Sequence, residues 1–361
     1  IIDAKDDTEA TKKAEEQEKK YEWLNAAKYY DQALRSESGT ISFFAETWER
    51  IGFCHSQASR QAENTEEFKK LRQLAVDAYM SAAKLFEKEE SLKNQGKSAH
   101  CYAIAEYVHS WVASNPLEKI KMLDECLKFG KKSLEAYENI GDELSYGKMC
   151  NDLLLCLLDR LYVASDWREM RNIAQEGINC ANKAIAVLSK LGNKSELLRA
   201  YFTASLQSWY AANISEEEEQ RKELMRRSLS YSEEALKLSK EVDNPYYTAM
   251  ANWSAAFCTL LFTDKVESSL EYAKEMLRQG MIVRDNYLNG VASYVLAFAT
   301  NWMTLREADP DKQKEGHKNI IKYAQDAVRY LQLVSQDFFI AQTYLFYAES
   351  YSSLALDVEA S

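Results

Sequence analysis

The sequence predicts an all-α protein built from repeated helical hairpins. Helix-start signals recur along the chain in steps of about 50 residues, which is typical of a repeat array. With only 3 prolines and 11 glycines in 361 residues, the chain lacks the turn residues of an all-β protein. Hydrophobic residues make up 46% of the chain, enough for a continuous core, and no stretch shows the alternation of a strand.

The hairpin at residues 193–244 is the template for the others. Asn193 opens its first helix, on which apolar residues recur at helical spacing. Ser215 opens its second helix and is followed by Glu218, a spacing that predicts a capping box for the first amide donors. Asn244 and Pro245 then start the next hairpin, because asparagine caps a helix and proline is tolerated at its first position.

The same start signals form two interleaved series. First helices are predicted to begin at Asp142, Asn193, Asn244, Asn286 and Asp337. Second helices are predicted to begin at Asn64, Asn115, Asp166, Ser215, Asp264 and Asp309. Most steps are 49 to 51 residues, with two shorter steps of 42 and 45. All 3 prolines follow an Asn or an Asp, as a helix start requires.

These signals predict a single domain over residues 1–361. Its helix pairs span about residues 8–35, 42–89, 97–140, 143–191, 195–242, 245–284 and 287–334, and a terminal helix spans 337–356. We expect residues 1–7 to be frayed. One pair cannot bury its apolar stripe alone, so about seven antiparallel pairs and the terminal helix should stack into a right-handed superhelical α-solenoid.

Two helix motifs resemble the tetratricopeptide repeat. The family's second-helix pattern, small-x3-aromatic-x2-Ala, is matched by Ala26-Tyr30-Ala33 and Ala75-Tyr79-Ala82. Its first-helix pattern is matched by Trp48-x2-Ile51-Gly52, with His55 where tyrosine is usual. The period exceeds the family's usual length of about 34 residues, so the resemblance is to relatives with long hairpins. These include sensor domains of some bacterial transcription activators and the soluble attachment proteins of vesicle fusion.

Charge and composition narrow the class of partner and the location. A net charge of −11 argues against nucleic acid and anionic membranes, and it favours a partner of basic character. The longest apolar run, near residues 153–158, is far shorter than the ~20 residues that span a bilayer, so no membrane insertion is expected. The 7 cysteines form no CxxC pair, which predicts reduced thiols in a cytoplasmic protein without a signal peptide. The chain starts at Ile1 without Met, as an excised piece of a longer protein would.

No catalytic motif is recognisable, and we expect no enzyme activity, cofactor or metal. His55 and His100 lie next to Cys54 and Cys101, but neighbours on a helix point about 100° apart and cannot chelate one ion. Two such pairs could meet only across neighbouring helices, and packed core residues are the favoured interpretation. The sequence contains no Gly-rich phosphate loop, GxSxG elbow or HExxH motif.

The predicted function is a protein-interaction scaffold, or a regulatory or sensor domain, that holds a peptide or a partner helix on its concave face. Asn151, Arg199, Asn252 and Asn301 are the predicted contacts, because they interrupt otherwise apolar first helices. Local hydrogen bonding or plain solvent exposure of these residues is the competing interpretation. A vesicle-fusion-type adaptor that binds a helical bundle is one alternative, favoured by a broad charged face. A small-ligand-sensing regulatory domain is the other, favoured by a pocket of mixed aromatic and polar side chains.

The terminal helix carries more aromatic residues than one packing face can bury. At about 100° per residue, Phe339, Phe346 and Tyr347 cannot share a narrow stripe with Tyr344 and Tyr351. Phe339, Phe346 and Tyr347 are the predicted self-association residues. Aromatic surface left exposed predicts an interaction site, and a homodimer through this helix would pair the surface with itself. A missing repeat that covers the helix, or full burial within the chain, is the alternative.

Overall fold

The computed structural model describes residues 9–35 and 39–360, with side chains described as far as residue 355. Of the residues in these ranges, 86% are helical and none lies in a strand, which confirms the all-α prediction. The fifteen helices of these ranges are α1 (Glu9–Lys19), α2 (Trp23–Leu34), α3 (Ile41–Ser59), α4 (Thr65–Phe86), α5 (Leu92–Ser110), α6 (Pro116–Ile140), α7 (Glu143–Leu161), α8 (Trp167–Leu191), α9 (Lys194–Ile214), α10 (Glu218–Val242), α11 (Pro245–Phe262), α12 (Val266–Val283), α13 (Asn286–Thr304), α14 (Pro310–Leu333) and α15 (Asp337–Ala360). The expectation for residues 1–7, and the predicted start at Thr8, lie outside the described residues.

Seven of the eleven predicted helix starts carry the predicted Asn or Asp cap. The Asn193 side chain accepts a hydrogen bond from the Glu196 amide at 3.1 Å, and Asn244 accepts from the Tyr246 amide at 3.0 Å. The same cap is made by Asn64, Asn115, Asp142, Asp166 and Asp309. Local hydrogen bonding therefore sets most of the helix starts.

Three predicted starts are wrong in detail. Ser215 makes no capping box with Glu218, because its hydroxyl donates to Gln220 Oε1 at 3.0 Å and α10 begins only at Glu218. Asp264 does not cap α12, since Thr263 Oγ1 accepts from the Lys265 amide and closes a separate turn before that helix. The cap of α13 is the residue before Asn286, Asp285, whose carboxylate accepts from the Leu288 amide at 3.0 Å.

The helices group into two compact units. Unit 1 runs to Glu169 and includes Asn179–Leu191, while unit 2 comprises Met170–Ile178 and continues from Gly192. Helix α8 contributes residues to both units. The single domain over residues 1–361 stays a prediction.

In four hairpins a glycine of the first helix lies against a large side chain of the second. Gly52 lies against Tyr79 at a spacing of 27 residues, and the other three pairs share a longer spacing. These three pairs are Gly96 with Tyr137, Gly147 with Leu188, and Gly290 with Leu331. A Cβ atom on these glycines would lie 2.6 to 2.9 Å from the partner's nearest carbon, so the two helices approach closely there. Each of these three glycines precedes its partner by 41 residues, which shows that these hairpins of unit 1 and unit 2 use one register.

No helix of the described ranges combines the length and the apolar character needed to cross a membrane.

Candidate functional site

Polar side chains on the first helices of unit 1 pair from one hairpin to the next. We term them the first-helix ladder: Glu18 on α1, Glu46 and Arg50 on α3, Lys97 and His100 on α5, and Asp152 on α7. The pairs are Arg50 with Glu18, Lys97 with Glu46, and His100 with Asp152. The last two pairs join residues 51 and 52 positions apart, so the repeat period itself brings the partners together.

At the α1 end of the ladder, Glu18 is the acceptor of a partly buried polar cluster. Its carboxylate accepts from Arg50 Nε at 3.2 Å and from the Tyr30 hydroxyl at 2.9 Å, and the Cys54 sulfur lies 3.7 Å away. Burial, and then the charge of Glu18, raise the pKa of the Tyr30 hydroxyl and of the Cys54 thiol. Both groups therefore remain protonated donors, and this end of the ladder holds α1, α2 and α3 together.

At the α7 end of the ladder, His100 lies between Asp152 and Tyr137. Its Nε2 lies 2.8 Å from Asp152 Oδ2, and its Nδ1 lies 3.5 Å from the Tyr137 hydroxyl, so one imidazole joins α5, α6 and α7. Burial opposes the charged imidazolium, but the hydrogen bond and the charge of Asp152 outweigh burial and raise the pKa of His100. The charge of Glu49 adds to this rise, and the charge of Lys148 opposes it.

The pair of Glu46 and Lys97 is the part of the ladder most open to solvent. Their charged atoms lie 2.6 Å apart, and the Glu46 side chain is 55% exposed. The Lys97 ammonium also lies 5.1 Å from the centre of the Phe86 ring. A half-exposed ion pair contributes only about 0–1 kcal/mol to stability. A bound ligand could therefore replace either partner at small cost to the fold.

A cavity of about 400 Å³ opens where α6 ends and α7 begins, against α8. Its lining includes Tyr137, Glu138, Asp142, Glu143, Tyr146, Lys183 and Val187. Tyr137 also contacts His100, so this cavity adjoins the ladder. The lining of this cavity thus combines aromatic rings, carboxylates and one lysine.

The structure places three of the four predicted partner contacts in the protein interior. Asn151, Asn252 and Asn301 are 0%, 5% and 5% exposed, and Asn252 Nδ2 donates to the Thr248 carbonyl of its own helix at 2.8 Å. Arg199 is half-buried and pairs with Glu196 at 3.0 Å. Partner binding by these residues stays a prediction, and an open groove along these asparagines is not what the structure shows.

Aromatic packing is the reason that the first helices of unit 2 present no open groove. Trp253 of α11 lies 5.3 Å from Phe202 of α9 and 5.6 Å from Tyr287 of α13, measured between ring centres. Phe339 of α15 reaches the same Trp253 at 6.3 Å. In α13, 14 of 19 residues are buried, which leaves little surface for a ligand. Sequence reasoning missed this packing, because aromatic residues that fill a groove have the same spacing as those that line one.

The terminal helix does expose aromatic surface, as the sequence predicts, but the exposed residues differ from those predicted. Phe339 is 2% exposed and belongs to the core, and Phe346 is half-buried and stacks on Phe298 at 5.1 Å. Tyr347 is half-buried, and its hydroxyl accepts from Gln325 Nε2 at 3.2 Å. Among the side chains of this helix described as far as residue 355, the exposed large hydrophobic residues are Tyr344, Leu345 and Tyr351, at 48%, 63% and 47%.

The seven cysteines are free thiols, of which six are buried and Cys180 is half-buried. Within the described residues, no group of three or more His, Cys, Asp or Glu side chains is arranged to hold a metal ion. His100 pairs with Asp152 instead of its neighbour Cys101.

Comparison with known proteins identifies the fold but not a family. No family model matches the chain, and no curated protein matches it. Among solved structures, the Rap conjugation gene regulator of the plasmid pLS20, in complex with the Phr* peptide, is 12% identical with a TM-score of 0.52. That match covers 90% of this chain and 75% of the regulator.

Two further solved structures match over nearly their full length. A Rap protein complexed with competence and sporulation factor is 10% identical, with a TM-score of 0.48, 96% of this chain covered and 98% of that chain. The apo form of RapI is 11% identical, with a TM-score of 0.46 and 96% of each chain covered. The likeness to the pLS20 regulator shows a tetratricopeptide-like helical repeat, as the sequence motifs predict.

Proposed function

We propose that this chain is a non-enzymatic regulatory scaffold that binds an extended peptide along the first-helix ladder of unit 1. The observation that carries this proposal is the series of acid–base pairs on consecutive first helices. In that series the Glu46 side chain is 55% exposed beside Lys97 of α5, and His100 of the same helix pairs with Asp152 of α7. Charged side chains of a peptide can take the place of either partner in such a pair. These contacts would hold the peptide on the ladder and fix the direction in which its chain runs.

The fold comparison supports a peptide as the ligand. The pLS20 regulator that shares this fold is in complex with the Phr* peptide. A repeat fold offers successive helices at a regular spacing, which suits a ligand without secondary structure of its own. The aromatic packing of Trp253 with Phe202 and Tyr287 fills the space between the first helices of unit 2, and this favours unit 1 as the binding surface.

We further propose that the peptide carries basic residues and that binding takes place in the cytoplasm. The net charge of −11 attracts a cationic partner, and the carboxylates of Glu46 and Asp152 are the acceptors that a lysine or an arginine would use. Self-association through α15 is part of the same proposal, because exposed aromatic surface marks an interaction site.

A small-ligand sensor is the second candidate function, and the cavity between α6, α7 and α8 is the observation that favours it. The cavity wall combines the rings of Tyr137 and Tyr146 with Glu138 and Lys183, the mixed composition of a small-molecule site. A screen of metabolites by thermal shift would test it, with Val187→Trp as the variant that fills the cavity. A ligand that stabilises the parent and the Val187→Trp variant equally would contradict this second function.

Peptide selection followed by titration would test the leading proposal. Peptides would be selected from a random library on the whole chain, and the best binder titrated into Glu46→Gln and Asp152→Asn variants. Loss of a charge-assisted hydrogen bond costs about 1.5–3 kcal/mol, or about a tenfold to hundredfold rise in Kd. Glu216→Gln is the matched control, since Glu216 forms an ion pair with Arg171 in unit 2. Equal affinity of all three variants and the parent would exclude the ladder as the site.

A further inference from the structure

The turn between α6 and α7 has a counterpart one repeat later, between α8 and α9. Gly141 and Gly192 follow α6 and α8 with a positive φ, at 70° and 66°. Asp142 and Asn193 then cap α7 and α9. The repeat thus builds the same turn twice, and side chains that differ between the two copies are not needed to form it.

The side chains around the two turns differ in charge and in aromatic content. Those at the first turn line the cavity between α6, α7 and α8, and the corresponding positions lie 51 residues later. The four positions that differ most are Tyr137, Glu138, Glu143 and Tyr146 at the first turn, and Leu188, Ser189, Lys194 and Leu197 at the second. Two carboxylates and two phenol rings are therefore present at one turn and absent at its counterpart. Since the turn forms without this combination, the combination points to a bound ligand.

The charges of the cavity favour a cationic ligand. Three carboxylates and one ammonium group line it, which leaves it with a net charge of −2. Asp142 is already engaged, because its two carboxylate oxygens accept from the Ser145 amide and hydroxyl at 3.0 and 2.8 Å. Glu138 and Glu143 are exposed, and within the described residues neither takes part in an ion pair. The cavity therefore presents two carboxylates that a cation can bind without displacing a partner.

The remaining lining suits a short aliphatic chain. The rings of Tyr137 and Tyr146 and the side chains of Ala186 and Val187 provide apolar area. Methylene groups pack against such side chains, and the face of a tyrosine ring attracts an ammonium group. The cavity volume of about 400 Å³ lies within the range of small-molecule sites.

We propose that this cavity binds an aliphatic diamine. Its two ammonium groups pair with Glu138 and Glu143, and its methylene chain lies against Tyr146 and Val187. A doubly charged cation compensates the net charge of −2, whereas a dicarboxylate would add to it. This inference rests on the small-ligand sensor proposed above and gives that site a chemical class of ligand.

Calorimetric titration of the whole chain with putrescine tests the proposal, with butanediol and succinate as ligands that share its carbon chain but not its charge. Putrescine should bind, and the other two should bind at least about tenfold more weakly. The double variant Glu138→Gln, Glu143→Gln should raise the putrescine Kd by at least about tenfold, because it removes both charge-assisted hydrogen bonds. The double variant Glu63→Gln, Glu90→Gln is the matched control, since it removes the same charge from exposed positions outside the cavity and should leave the Kd unchanged.

A second pair of variants separates a diamine from other ligands. Lys183→Gln should lower the Kd for putrescine about two- to fivefold, because it removes a like charge from the lining. Lys190→Gln, on the same helix but outside the lining, should leave the Kd unchanged. Undetectable binding of putrescine, equal Kd values in all variants, or tighter binding of succinate would overturn the proposal.

The metabolite screen separates this inference from the function on which it rests. If the screen finds a ligand that stabilises the parent but not Val187→Trp, while putrescine fails to bind, the sensor function stands and the diamine class is wrong. If no ligand of any class distinguishes the parent from Val187→Trp, both the sensor function and the diamine class are wrong.

Discussion

The Nε2 atom of His100 lies 2.8 Å from Oδ2 of Asp152, and this contact joins α5 to α7 within unit 1. Burial alone would favour the neutral imidazole, yet Asp152 raises the pKa of His100 above the ordinary value. A group whose pKa is raised by folding binds its proton more tightly in the folded state. Its contribution to stability is therefore complete below the ordinary histidine pKa, near 6.5, and is lost as the pH rises through the raised folded value.

The first prediction follows from the upward shift of the His100 pKa. Replacing His100 by Gln should lower the free energy of unfolding more at pH 6 than at pH 8.5, because only the imidazolium gains from the Asp152 charge. Urea unfolding at the two pH values measures the difference. Ser189→Ala, at an exposed and uncharged position on α8, is the control and should show the same change at both pH values. A pH-independent effect of His100→Gln would mean that the contact is a neutral hydrogen bond.

The second prediction concerns the helix caps. Asn193→Ala, Asn244→Ala and Asp142→Ala should each cost about 0.5–2 kcal/mol of stability, because each leaves helix amide donors without an acceptor. Thermal unfolding of the triple variant would measure the combined loss. Asp264→Ala is the matched control, since Asp264 is exposed and does not cap α12. The free energy of unfolding of Asp264→Ala should lie within about 0.5 kcal/mol of the parent value. A triple variant that unfolds at the same temperature as the parent would show that the caps contribute nothing to stability.

The third prediction tests the close approach of helices in a hairpin. Gly147→Ala would place a Cβ atom 2.6 Å from a Leu188 methyl carbon, and overpacking of this kind costs about 1–3 kcal/mol. In the Leu188→Ala background the same substitution should cost much less, because the clash is gone. A double-mutant cycle by chemical unfolding gives the coupling. Additive losses would indicate that the two helices separate to make room.

The fourth prediction compares two aromatic residues of α15. Phe339→Ala should cost about 3–5 kcal/mol, because Phe339 is buried against Trp253, Tyr287 and Tyr294. Tyr344→Ala, measured at a concentration where the chain is monomeric, should cost no more than about 0.5 kcal/mol, because Tyr344 is 48% exposed. If both substitutions lowered stability equally, the face of α15 that packs against the core would not be the one that contains Phe339.

The fifth prediction concerns the cysteines. The thiolate is the reactive form, and burial raises the pKa of Cys101 and Cys258 well away from neutral pH. A thiol reagent should therefore label half-buried Cys180 first in the folded protein and all seven only after denaturation. Elemental analysis should find no stoichiometric zinc. Rapid labelling of several sites, or one zinc per chain, would contradict this expectation.

Much of the fold can be predicted from the sequence because its signals are local. The caps at Asn193 and Asn244 depend on hydrogen bonds that span two or three residues, so a short stretch contains all the necessary information. The start of α10 could not be located to the residue, since the Ser215 hydroxyl donates to the Glu217 carbonyl and to Gln220 Oε1, which is not the hydrogen-bond pattern of a capping box. The hairpin period follows from the spacing of such caps and predicted the helical repeat.

The candidate site was less predictable because it depends on which faces of neighbouring helices pack against each other. The sequence by itself determined that His100 and Asp152 lie one repeat apart on first helices, as do Glu46 and Lys97. Only the tertiary structure decided that these side chains pair, and that Asn252, Asn301 and Phe339 lie inside. The physical reason is that helical periodicity gives the direction of a side chain around its own helix, whereas burial depends on how closely neighbouring helices pack.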